Sequence, residues 1–108
     1  MRHVQLVIHR LVVDDVEIPV RLATVVVVQR DESTQLDWEV VAESTEPIGL
    51  DLHRAQLRMT VITGADADAV LAFAEVEGPA AVVRFVGTTV VFRGDGPLEG
   101  FDPALLPG

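Results

Sequence analysis

The groups able to do chemistry in this 108-residue chain are few in kind: three histidines, 17 aspartates and glutamates, eight arginines and two serines, with no Cys, Lys or Tyr. His3 and His9 are six residues apart. On an extended chain, at about 3.4 Å per residue, that puts them roughly 20 Å apart, too far to share a metal ion. Asp51 and His53 flank Leu52. That spacing places carboxylate and imidazole on one face of a strand, where the acid can orient the ring as a general base. Arg54 or Arg58 would be the nearby cation of an enzyme site built there. The competing reading of the same residues is a surface pair.

Other constellations reduce to turn chemistry. Ser33 and Ser44 lie in acidic polar segments, outside any Gly-x-Ser-x-Gly elbow that would expose an activated hydroxyl. Asp66-Ala67-Asp68 resembles the first two ligands of a calcium loop, but the downstream glycine and the bidentate glutamate are missing at the required spacing. A solvated turn accounts for it, because aspartate bonds the backbone N–H groups that follow it. Gly94-Asp95-Gly96-Pro97 follows a strand pattern as a phosphate loop would, yet no lysine and no helix follow and Asp95 repels phosphate. The sequence therefore predicts no catalytic constellation, no cofactor and no metal site.

Charge narrows the partners. A net −9, divided evenly between the two halves of the chain, repels the phosphate backbone of nucleic acids and anionic membrane surfaces. The longest purely apolar run is Val25 to Val28, against about 20 residues needed for a helix to cross a bilayer. The N-terminus alternates apolar with polar residues and has no signal-peptide pattern, so a cytoplasmic location is expected.

The elements that must position these residues are strands. Valine occurs 20 times, and β-branched side chains suit a pleated, half-buried surface. Residues 3–13 and 16–22 alternate with a period of two around Asp14-Asp15, predicting a hairpin, with Pro19 at an edge or a bulge. Val4, Leu6, Ile8 and Val12 share one parity of the first strand. The second strand continues through Gln29. Further strands are expected over 36–43 and 55–63, with a turn at Gly64-Ala65-Asp66. A closing hairpin joins 80–86 to 88–93 around Gly87. Residues 66–77 read either as a short helix, capped by Asp66 and stopped by Gly78-Pro79, or as a strand with Leu71 and Phe73 facing inward; the strand is preferred. Residues 94–108 form a Gly/Pro-rich tail with Leu98, Phe101, Leu105 and Leu106 able to pack down. The expected architecture is a single all-β domain over 1–108, a small antiparallel β-sandwich or partly open β-barrel.

Val25 to Val28 is apolar on both parities, so both faces of that strand need cover. In so small a domain one of those faces would be covered by association. The expected function is that of a non-catalytic structural or protein-interaction domain, acting through self-association as a homo-oligomer or through docking into a larger assembly, with Val25, Val26, Val27 and Val28 as the interaction surface. The alternative is a small-molecule-binding barrel, and a third reading is an enzyme centred on Asp51 and His53.

Overall fold

The computed structural model describes residues 1–31, 34–47 and 54–107. Among them seven strands run in chain order: β1 (Arg2–Val13), β2 (Val16–Ile18), β3 (Val20–Gln29), β4 (Leu36–Ser44), β5 (Arg54–Ala65), β6 (Leu71–Val86) and β7 (Thr89–Gly94), followed by a short 3-10 turn at Pro103–Leu105. All pairings are antiparallel. The order β1-β3-β4-β7-β6-β5 closes on itself through a β1–β5 pairing, giving a six-stranded barrel with β2 as an extra strand on β1.

The barrel is flattened, with extents of 39 × 38 × 21 Å, and reads as two sheets that share their longest strands. The first half of β1 pairs with β3, and its second half pairs with β5 and β2. The first part of β6 pairs with β5 and its last part with β7. A bulge between Ile8 and Arg10 marks the change in β1; in β6, Ala80 and Ala81 pair with both neighbours, and a bulge between Val82 and Arg84 follows just beyond them. Strands that switch sheets turn their corners at such bulges. Sheet I is thus β1 (first half), β3, β4, β7 and β6 (last part). Sheet II is β2, β1 (second half), β5 and β6 (first part).

The bulge in β1 corrects the expected parity. Leu6 and Ile8 point inward, but the extra residue at His9 reverses the alternation, and Leu11 and Val13 fill the interior beyond it. Asp14 and Asp15 both have positive φ, 48° and 68°, the backbone of a two-residue primed turn whose twist matches the flanking strands. Pro19 separates β2 from β3, so the residue without an N–H sits where neither ladder needs one.

The helix over 66–77 does not form. Asp66 caps a turn instead, its side chain accepting from the N–H of Asp68 (2.8 Å) and Val70 (2.9 Å), and β5 runs on to Ala65 before that turn. Residues 71–86 are one continuous strand rather than two segments. Leu71 and Phe73 face outward, because the inward parity of β6 is taken by Val76, Gly78 and Ala80. Gly78-Pro79 is no helix stop but the point where the Trp38 ring crosses the strand. A Cβ at Gly78 would lie 2.8 Å from that ring, and one at Gly94 would collide with its indole nitrogen. The indole N–H donates to the Gly96 carbonyl at 2.9 Å, which ties the tail over the ring. Beyond it Glu99 pairs with Glu77 along β6, and Leu98 and Leu106 are buried.

The core is one cluster filling the space between the sheets, with Phe92, Leu11, Leu57 and Met59 its largest fully enclosed side chains. No buried side-chain polar atom among the described residues lacks a partner.

Candidate functional site

The interior is packed with side chains, so chemistry or recognition must be sought on the outer faces. A ligand held inside would have to displace Phe92, Leu57 or Met59, each at most 1% exposed. The described grooves also lie outside the interior. One, about 510 Å³, runs over β3, β4 and β7 and is lined by Val26, Val28, Arg30, Asp37, Glu39 and Arg93, with the edge of Trp38.

Val25 to Val28 does not act as one surface. In β3 the side chains alternate, so Val25 and Val27 point inward and are 0% exposed, and no partner can reach them. Val26 and Val28 are half-buried on the outer face, on the floor of that groove. The run is apolar on both parities because one set builds the core and the other belongs to a valine-rich outer wall.

Cross-strand register defines the wall. One row passes from Val7 on β1 through Thr24 on β3, Val41 on β4 and Val91 on β7 to Arg84 on β6. On one side of this row lie Val26, Glu39 and Arg93, and on the other Leu22, Glu43 and Thr89. Val7 is 47% exposed, Leu22 58% and Val41 40%. Ion pairs frame the apolar row: Arg93 to Glu39 and Arg21 to Glu43, both at 3.6 Å, and Arg30 to Asp37 at 2.9 Å. All six side chains are largely solvent-exposed, so each pair adds little to stability. Arg84 is exposed and, among the described residues, is the arginine with no partner.

The opposite face, on sheet II, is polar over its middle, with Leu71 and Phe73 exposed toward the β5–β6 turn. Arg10 pairs with Glu17, Arg58 with Asp15 at 3.5 Å, and the Thr60 hydroxyl donates to Glu75 at 2.5 Å. Glu77 and Glu99 lie side by side where the tail joins β6. His9, in the bulge, sets its ring 5.3 Å from that of Phe73, a tilted aromatic contact at the base of the β5–β6 hairpin. His3 lies opposite Val28 on sheet I.

Asp51 and His53 lie outside the described residues. Arg54 and Arg58 both point outward from β5, and each holds a carboxylate, Arg54 that of Asp95 at 3.1 Å. Ser44 ends β4 as a buried structural residue, 1% exposed, its hydroxyl bonded to the Glu46 carbonyl. No group of three or more His, Asp or Glu among the described residues is placed to hold a metal ion. No helix among them is long and apolar enough to cross a membrane. No family model matches the chain, and no curated protein and no solved structure is significantly similar to it.

The wall was only half visible in sequence. The valines were plain, but their gathering on one face depends on β4 and β7 lying between β3 and β6. That strand order is not written in any local pattern.

Proposed function

We propose that this β-barrel is a non-catalytic interaction module, acting through self-association or by docking into a larger assembly. The reading rests on one observation: the core is complete without the outer wall of sheet I, yet that wall exposes Val7, Leu22 and Val41 in adjacent rows. Single exposed apolar residues are ordinary on a protein surface, whereas a contiguous set marks a contact. Val26 and Val28 extend the set, so two of the four valines expected to form a surface contribute to it. A protein partner in the cytoplasm suits the charge, which at −9 repels nucleic acids and anionic membranes.

The experiment is sedimentation velocity from about 1 to 300 µM at fixed salt. Self-association gives a mass that rises from 11.7 kDa toward a multiple of it. A mass of one chain across the whole range removes self-association from the reading.

A further inference from the structure

We infer that the outer wall of sheet I is the contact face of a symmetric dimer of this chain, an inference that rests on the self-association reading above. Charge supplies the first argument. Arg21, Arg30, Arg84 and Arg93 belong to this wall, with only Asp37, Glu39 and Glu43 as acids. The rest of the chain carries the other four arginines against 14 acids. The wall is close to neutral on a molecule of net charge −9. Two copies of an acidic chain approach with least repulsion through the face that holds least of the charge.

One competing apolar site is the β5–β6 hairpin, which exposes Val70, Leu71 and Phe73; Val83, Phe85 and Val86 are exposed at the β6–β7 hairpin, beside the wall. The surroundings of the β5–β6 hairpin are acidic: Asp66, Asp68 and Glu75 flank it, and no arginine occurs between Arg58 and Arg84. Self-docking there sets carboxylates against carboxylates.

Size supplies the second argument. Five strands at about 4.8 Å and four outward positions along β3 at about 7 Å give a face of roughly 600 to 700 Å². A stable interface takes roughly 600 to 1,000 Å² from each partner. The wall reaches the lower part of that range. The composition fits as well: an apolar centre at Val41 and Val91, ringed by exposed Arg–Glu pairs, has the core-and-rim order of a protein–protein contact. Arg84 brings an uncommitted donor to the edge of that row, within the partner's reach.

The chain has no cysteine, so single cysteines report the contact directly. Val41→Cys and Phe73→Cys are compared under mild oxidation, and Val41→Arg and Phe73→Arg by sedimentation velocity, with circular dichroism checking each fold. The expected result is covalent dimer from Val41→Cys but not from Phe73→Cys, and a dimer constant about a hundredfold weaker in Val41→Arg than in Phe73→Arg. If Val41→Arg fails to fold, Thr24→Arg in the same row takes its place, and the cysteine comparison stands independently. A wild-type dimer that survives Val41→Arg, or one trapped by Phe73→Cys instead, overturns the wall while leaving self-association intact. A wild-type monomer at every concentration removes both.

Discussion

The two sheets share β1 and β6 and enclose one core, yet their outer faces place apolar residues differently: in the middle of sheet I, and at the β5–β6 hairpin end of sheet II. On sheet II each outward arginine holds a carboxylate, Arg10 that of Glu17, Arg58 that of Asp15 and Arg54 that of Asp95 in the tail, which also sets Glu99 beside Glu77. On sheet I the ion pairs stand on two borders, and the middle row carries Val7, Val41 and Val91, with Arg84 at its end. Folding imposes only the inward alternation, which both sheets obey. The outward positions are free to differ, so their difference carries information about use rather than about stability.

The largest effect belongs to the region both faces depend on. Trp38 reaches from β4 across β7 to β6, lying against Gly94 and Gly78 and holding the Gly96 carbonyl. Trp38→Ala leaves a void bounded by two glycines, which have no side chains to move into it, and frees the tail. A loss of about 3 to 5 kcal/mol is expected, measured by urea unfolding followed by circular dichroism at one protein concentration. Both faces should suffer together. A loss under about 1 kcal/mol would mean the ring is peripheral and the two sheets are held by other contacts.

Salt sharpens the contrast next. Two copies at −9 each repel at long range, while the wall itself is near neutral. Raising ionic strength shortens the Debye length from about 10 Å at 0.1 M to about 3 Å at 1 M, so repulsion falls and apolar contact is untouched. Dimerisation through sheet I should therefore strengthen severalfold between these concentrations, read as a shift in the sedimentation isotherm. Weakening with salt would indicate attraction between opposite charges, as when the wall of one copy meets the acidic face of another.

How much of this was readable in the chain follows from the range of each signal. Alternation along 36–43 and the hairpin around Asp14-Asp15 are local and form as the pattern places them, but Pro19 splits 16–29 into β2 and β3, which pair with different halves of β1. The tail leucines were recognisable because an apolar residue in a Gly/Pro-rich segment has little reason to be there unless it packs. The parity of Leu71 and Phe73 was not readable. Both belong to a hairpin that extends beyond β1, where outward apolar side chains meet no neighbour to forbid them, and Phe73 finds His9 only through the bulge. Gly78-Pro79 misled for a related reason: the dipeptide stops helices, but here the missing side chain makes room for a ring 40 residues away in sequence. A run of four valines cannot say which two are core; the fold places Val25 and Val27 inside and leaves only Val26 and Val28 on an outer face.

The β5–β6 hairpin offers a smaller test. Ala69 has φ 62°, left-handed backbone that costs a residue with a Cβ about 1 to 2 kcal/mol. Glycine avoids that cost but gives up about 0.5 to 1 kcal/mol to the freedom of the unfolded chain. Ala69 is exposed, so its methyl group adds little to packing. Ala69→Gly should stabilise the domain by about 0.5 kcal/mol in thermal or urea unfolding, with no change in association, because the turn lies away from sheet I.

The smallest expected effect separates charge from covering on sheet II. Arg58 lies opposite Val12, which is on the outward side of β1 yet only 8% exposed. Its ion pair with Asp15 is 3.5 Å long, and the Asp15 side chain is 93% exposed, so the charge contributes almost nothing in water. The aliphatic stem can still shield Val12, as long basic side chains shield the apolar surface beneath them. Arg58→Met keeps a stem and removes the charge, and should leave stability within about 0.3 kcal/mol of wild type. Arg58→Ala removes both and should cost about 0.5 kcal/mol, the worth of partly uncovering one valine. Neither should move the sedimentation isotherm. Equal losses from both substitutions would make the ion pair the contributor, and a change in association from either would place the contact on sheet II.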